Sequence, residues 1–190
     1  MLDAILLSIA KSAILSRLDS RYFFDRDKLL KKYAFLNIDG ATFVTLKYNG
    51  ELRGCMGSII AHRILYEDIF TNAISASFSD PRFKPLNINE FPYLTLEVSL
   101  LSEPILLKYE DFEDLCQKIK PKKDGLILKY HGYSGTFLPQ VWEQLPTPKL
   151  FLEQLSMKAG ADKSIYAQHP TIYRYHVDSI EEKFNAILPL

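Results

Sequence analysis

The segment Leu52-Arg-Gly-Cys-Met-Gly57 places a thiol beside a guanidinium and between two glycines. A cysteine thiolate is a nucleophile, and a nearby arginine lowers the pKa of a thiol. Gly54 and Gly57 allow unusual backbone angles and the close approach of a ligand. We therefore predict a loop that presents Cys55 as a nucleophile, with Arg53 activating it. The alternative is a buried, unreactive thiol, because free cysteine packs as a small hydrophobe.

Glu97 is the predicted partner of Cys55. It stands between apolar residues in a segment that alternates like a strand, where a carboxylate is costly unless it is solvated or paired. We predict that Glu97 transfers protons or binds a ligand and that Ser99, on the same face, contacts substrate. An ion pair with Arg53 or Arg82, or simple exposure, would also explain this carboxylate.

Three more polar residues complete the predicted binding set. Asp80 and Arg82 flank a proline that fixes a turn. Arg82 could bind a carboxylate or phosphate, so that Arg53 and Arg82 together orient an anionic substrate. Asp80 belongs to the same set, although it could instead only cap backbone amides of the turn. Gln140 could offer its side-chain amide to a ligand or to nearby backbone.

Composition excludes several function classes. The 190 residues include 23 basic and 23 acidic residues, so no net charge attracts nucleic acid or an anionic membrane. The two cysteines, Cys55 and Cys116, form neither a metal-ligand set nor a disulfide framework, and we assign Cys116 to the core. We predict no metal, no cofactor, no signal peptide and no membrane span, and hence a cytoplasmic protein.

The elements that must position these residues occur in mixed order. Apolar periodicity predicts helices at about 2–18, 25–32, 64–78, 111–119 and 150–157, and strands at 42–48, 51–53, 93–101, 126–129, 136–138 and 172–177. Asn49-Gly50 suits a type I′ hairpin turn. Hairpins without regular βαβ units favour an α+β fold with a mainly antiparallel sheet and packed helices. We predict a single domain over 1–190, possibly with two lobes and without a linker-separated second domain.

Four stretches, taken in order, resemble the AMMECR family; they are Thr42-Phe-Val-Thr-Leu with Gly50-Glu-Leu-Arg-Gly-Cys-Met-Gly57, Asp80-Pro-Arg-Phe83, Glu97-Val-Ser-Leu100 and Gly132-Tyr-Ser-Gly-Thr-Phe-Leu-Pro-Gln-Val141. The resemblance implies a larger lobe that holds both termini and a smaller lobe containing strands. It also implies a role as protein A of the AmmeMemoRadiSam system, with a Memo-like protein and a radical S-adenosylmethionine protein as partners. Family members are usually described without an established reaction.

Two functions are compatible with these observations. In the first, the protein is an enzyme or enzyme component of a shared modification pathway, with Cys55 as nucleophile or covalent carrier and Glu97 as proton-transfer group. In the second, the same segment and Gln140 form a recognition surface of a non-catalytic module for another pathway component. Thiol-based metal or redox chemistry ranks last, because the sequence offers few soft ligands near Cys55.

Overall fold

The chain forms two compact units in a computed structural model, which describes residues 3–19, 22 and 24–190. The first unit comprises Met1–Leu101 and Asp178–Leu190, and the second comprises Ser102–Val177. Each unit contains helices and one four-stranded sheet. This arrangement confirms the predicted α+β class, with a larger lobe that holds both termini. None of the described helices is long and apolar enough to cross a membrane.

Helices and strands alternate irregularly along the described residues. The α-helices α1 to α5 span Ile5–Leu18, Arg26–Lys32, Leu65–Phe78, Phe112–Lys118 and Pro148–Lys158. The strands β1 to β8 span Ala41–Tyr48, Glu51–Gly57, Leu94–Leu101, Ile105–Leu106, Gly125–Tyr130, Tyr133–Phe137, Thr171–Tyr175 and Val177–Lys183. The first helix was predicted from residue 2, which lies outside the described residues.

The first sheet has the strand order β2-β1-β3-β8. Its hairpin turns at Asn49 and Gly50, both with positive φ, as the sequence predicts. Because side chains alternate across a strand, β1 and β3 turn apolar residues inward against α1 and α3, and polar residues outward. Thr45 is opposite Cys55 on one side and Glu97 on the other, so the three side chains share the outer face.

A set of buried polar residues ties α3 to the inner face of this sheet. The carboxylate of Asp68 is fully buried and accepts five hydrogen bonds of 2.7–2.9 Å. The donors are the backbone N–H and hydroxyl of Thr42 and the side chains of Ser58, Arg63 and Asn72. We call these five residues the inner polar cluster. It fixes the start of β1 and the end of β2 relative to the helix.

The second sheet has the order β4-β7-β5-β6, and α4 and α5 contribute to its core. Trp142 is buried, stacks on Phe151 at 3.9 Å and donates its indole N–H to the carbonyl of Asp124. The predicted helix containing Cys116 forms, but this cysteine is only half-buried at the edge of the core.

Several predicted boundaries differ from the observed ones. The 52–57 segment was predicted as a loop, which is wrong: Glu51–Gly57 is one continuous strand. The predicted final strand at 172–177 instead ends at Tyr175, and a further strand follows as β8. The residues of β8 are mostly exposed and charged, so they lack the apolar alternation that identifies a strand.

Candidate functional site

Cys55 lies on β2, at one edge of the first sheet, with its side chain on the outer face. The hydroxyl of Thr45 donates a hydrogen bond of 3.3 Å to its Sγ. Burial raises the pKa of the Cys55 thiol, and the hydrogen bond from Thr45 and the charge of Arg82 offset this only in part. The cation that favours the thiolate is Arg82, whereas Arg53 is paired with Glu90, so activation of Cys55 by Arg53 stays a prediction.

The glycines beside Cys55 serve packing. A Cβ on Gly54 would lie 2.1 Å from the carbonyl oxygen of Ala76 in α3, and one on Gly57 would lie 2.3 Å from the ring of Phe43. Neither glycine has a positive φ. We expected unusual backbone angles at these positions, but here glycine is required because a helix and an aromatic ring approach the strand closely.

Asp80 and Arg82 clamp the backbone of Cys55. The buried carboxylate of Asp80 accepts the N–H of Cys55 at 2.9 Å. Arg82 binds that carboxylate through Nη2 at 2.7 Å and Nε at 3.0 Å, and Nη2 also donates to the Cys55 carbonyl at 3.4 Å. Hydrogen bonds from Arg82 hold the pKa of Asp80 well below its usual range. Asp80 also accepts the backbone N–H of Arg82, which is the predicted capping role.

Arg53 has a different carboxylate partner. Its Nε and Nη2 bind the two oxygens of Glu90 at 2.6 and 3.1 Å, and Nη2 also donates to the carbonyl of Lys84. The ring of Phe83 lies within 5.8 Å of the guanidiniums of both Arg53 and Arg82. Both cations predicted to orient an anionic substrate are thus already paired with carboxylates of the chain.

Glu97 belongs to a hydrogen-bonded group on the outer face. One carboxylate oxygen accepts a hydrogen bond from the ammonium of Lys47 at 2.8 Å, and the other accepts one from the hydroxyl of Ser99 at 3.0 Å. Lys47 also binds Glu181 of β8, and Ser99 is 2.8 Å from the hydroxyl of Ser179. Burial favours the neutral acid, but hydrogen bonds from Lys47 and Ser99 outweigh it and lower the pKa of Glu97. The ion pair considered for Glu97 exists, with Lys47 instead of Arg53 or Arg82.

The outer polar face is the name we give to Thr45, Lys47, Cys55, Glu97, Ser99, Ser179 and Glu181. Within this group one ammonium serves two carboxylates, which leaves one negative charge in excess; the exposed ammonium of Lys183, which alternation places on the same face of β8 as Glu181, forms an ion pair with neither carboxylate. Side-chain exposures of 16% for Glu97 and 43% for Glu181 show that solvent reaches this charge. Thr45 stands between Cys55 and Glu97, and strands two positions apart are separated by about 10 Å. The observed partners of Cys55 and Glu97 are other side chains, Thr45 for the thiol and Lys47 with Ser99 for the carboxylate, so proton transfer between Cys55 and Glu97 stays a prediction.

Sequence reasoning missed Thr45, Lys47, Ser179 and Glu181. Thr45 and Lys47 could not have been found from the turn at Asn49-Gly50 alone, because a register shift between Leu46 and Lys47 pairs Cys55 with Thr45 instead of Val44. The two residues of β8 gave no signal either. Gln140 belongs to the second unit, where it is exposed in the 3-10 helix Pro139–Glu143. Within the described ranges, no group of three or more His, Cys, Asp or Glu residues could hold a metal ion.

Comparison with known proteins identifies relatives of most of the chain. The chain is 37% identical over 138 residues to a protein of Methanocaldococcus jannaschii, covering 70% of this chain and 67% of that protein. It is 42% identical over 110 residues to a protein of Thermoplasma acidophilum, covering 57% of this chain and 53% of that protein. The chain thus spans about half the length of the second relative.

A solved structure shares the fold. The crystal structure of an uncharacterised protein from Pyrococcus horikoshii superposes with a TM-score of 0.79 at 29% identity, covering 94% of this chain and 90% of that chain. The family model described as AMMECR1 matches residues 7–180. These residues include the outer polar face except Glu181, most of the first unit and all of the second. The chain therefore belongs to the AMMECR1 family.

Proposed function

We propose that this protein is a binding component of a modification pathway and that its outer polar face receives a positively charged segment of a partner protein. The observation that carries the proposal is the charge excess: Glu97 and Glu181 share the single ammonium of Lys47. A lysine or arginine of a partner would complement the remaining negative charge. Such complementarity steers association and selects among partners.

The geometry of the outer polar face suits binding because its groups are held in place before a partner arrives. Ser99 is buried and fixes one oxygen of Glu97, while its hydroxyl also contacts Ser179 on the neighbouring strand. Lys47 fixes the other oxygen of Glu97. A preorganised carboxylate loses little conformational entropy on binding, which leaves more of the interaction energy for affinity.

Family membership supports the choice of partners. Resemblance to AMMECR proteins implies a Memo-like protein and a radical S-adenosylmethionine protein as companions, in a pathway inside the cytoplasm. We propose that one of these two presents the cationic segment. Gln140, exposed in the second unit, is a further candidate for contact with the same partner.

The test is a calorimetric titration of the full chain with each of the two companion proteins at two salt concentrations. We expect Glu97→Gln and Glu181→Gln to weaken binding and to reduce its dependence on salt. Glu182→Gln is the matched control, because it makes the same change at an exposed neighbour on β8 outside the outer polar face. Equal effects of all three substitutions, or no binding by the wild type to either protein, would overturn the proposal.

A second candidate function is catalysis by Cys55. It is favoured by the hydrogen bond from Thr45 to Sγ and by the charge of Arg82, which both stabilise a thiolate. In that case Cys55→Ser should abolish adduct formation with the pathway's substrate while the melting temperature stays unchanged. A Cys55→Ser variant that unfolds would instead make this residue part of the packing.

A further inference from the structure

A cavity of about 530 Å³ opens in the second unit between α4, α5 and the 3-10 helix Lys163–Gln168. Its volume lies within the range of about 300–1,000 Å³ that is usual for small-molecule sites. Phe112 and Tyr166 line it, with ring centroids 5.1 Å apart. Tyr166 is buried and donates its hydroxyl hydrogen to the carbonyl of Leu152 at 2.7 Å. The cavity therefore has a fixed aromatic wall.

The polar side chains around the cavity differ in the hydrogen bonds and ion pairs that they make. One oxygen of Asp111 accepts the backbone N–H of Asp114 at 2.8 Å. Glu153 lies 3.9 Å from the ammonium of Lys163. Among the residues that the structure describes, Lys149 and the imidazole of His169 make neither a hydrogen bond nor an ion pair, although both line the cavity. Lys149 and His169 thus leave hydrogen-bond donors without a partner at the rim, beside the carboxylates of Asp111, which accepts one backbone N–H, and of Glu153, which forms only the long ion pair with Lys163.

His169 reaches the rim through an unusual backbone conformation. Its φ of 50° and ψ of 59° are left-handed, a region that a non-glycine residue rarely adopts. Tyr109 supports this turn, because its ring stacks on the imidazole at 5.5 Å and its hydroxyl donates to the carbonyl of Pro170 at 2.6 Å. Unusual backbone angles that neighbouring residues hold in place occur often at binding sites.

We infer that this cavity binds a small molecule that joins a flat apolar body to a carboxylate. The body packs against Phe112 and Tyr166, and the carboxylate accepts hydrogen bonds from Lys149 and His169. An aromatic wall supplies affinity through apolar burial, while a few donors at the rim fix the ligand's orientation. The site is independent of the outer polar face and of the function proposed for it.

Ligand-observed NMR titrations with phenylacetate and with 2-phenylethylamine test this inference, since the two probes differ mainly in charge. We expect saturable binding of phenylacetate and weaker binding of the amine. Lys149→Ala should weaken phenylacetate binding by about fivefold, as for a partly exposed charge pair. Lys158→Ala is the matched control, because Lys158 lies on the same helix and outside the cavity.

A second variant separates the cavity from the surface charge. Ala167 is exposed and lines the cavity, so Ala167→Phe should fill the space without disturbing the core. We expect this variant to lose phenylacetate binding and to keep the wild-type melting temperature. The inference is overturned if phenylacetate does not bind saturably, if both probes bind equally, or if Lys149→Ala and Lys158→Ala have the same effect.

Discussion

The inner polar cluster and the outer polar face lie on opposite faces of the same sheet and provide partners for their carboxylates in different ways. Asp68 is fully buried with five donors, one of them the guanidinium of Arg63, so charge and hydrogen bonds are balanced. Glu97 and Glu181 share one ammonium in contact with solvent. A carboxylate whose charge and hydrogen bonds are fully satisfied within the chain stabilises the fold. A carboxylate that shares its cation with another is available to a partner protein.

The largest effect is expected from Asp68→Asn. Removing the charge leaves Arg63 without its carboxylate and turns an amide N–H toward donors. Breaking a buried ion pair from one side costs about 3 kcal/mol or more. We expect a loss of that size in the free energy of unfolding, measured in urea at pH 7. A loss below about 1 kcal/mol would show that the inner polar cluster does not stabilise the fold more than the outer polar face does.

Gly54→Ala tests the strand that borders both clusters. The new Cβ would meet the carbonyl of Ala76 on α3, and such overpacking costs about 1–3 kcal/mol. We expect a lower melting temperature, whereas Glu51→Ala on the same strand, at an exposed position, should have little effect. A Gly54→Ala variant as stable as the wild type would contradict the packing role and would favour the prediction that Gly54 contacts a ligand.

Asp80→Asn gives a pH-dependent effect. Because Arg82 holds the pKa of Asp80 well below its usual range, the folded protein keeps this carboxylate ionised where the unfolded chain is protonated. Its contribution is complete above about pH 4 and decreases as the pH falls toward the folded-state pKa. We expect wild type to exceed the variant by about 1–2 kcal/mol at pH 7 and by less at pH 3. Urea unfolding at both pH values measures this difference, which a pH-independent gap would contradict.

Glu97→Gln is the counterpart of Asp68→Asn on the outer face. The variant keeps an acceptor for Ser99, and Lys47 retains Glu181 as its partner. We expect the free energy of unfolding to change by less than about 1 kcal/mol in urea at pH 7. A loss as large as that of Asp68→Asn would remove the distinction between the two clusters.

The smallest effect on stability is expected at the thiol. In a Cys116→Ser background, the rate of Cys55 alkylation by iodoacetamide should rise only above the pH at which a free thiol ionises, about 8.5. Thr45→Val should raise the apparent pKa further, because it removes the hydrogen bond that favours the thiolate. Rapid labelling at neutral pH would instead support catalysis by Cys55.

The sequence predicted the hairpin and the main helices because these depend on local pattern and turn chemistry, as at Asn49-Gly50. It could not predict the state of Cys55, since the groups around this residue come from β1 and from the turn after α3, where Asp80 lies 25 residues further along the chain. The partner of Glu97 could not be predicted from the sequence either. Lys47 is 50 residues away and becomes a neighbour only through strand register.

The same limit applies to glycines. Gly132 lies in the turn between β5 and β6 and has a φ of 102°. Gly135 lies in β6, where a Cβ would come within 3.0 Å of Ala159 after α5. Gly132 is required by the local backbone conformation, whereas Gly135 is required by a packing contact with a residue that is distant in sequence. The residue type alone does not show which of these two reasons applies.

The clamp at Cys55 also bears on how the β2 edge of the first sheet is kept from pairing with a strand of another molecule. An unprotected edge strand offers its backbone groups to a strand of another molecule and can start aggregation. Here Asp80 and Arg82 occupy the outward N–H and carbonyl of Cys55, in the place where a fifth strand would pair. Growth of the sheet at this edge would first have to expel a buried carboxylate. The turn after α3 thus blocks β-pairing with another molecule at this edge.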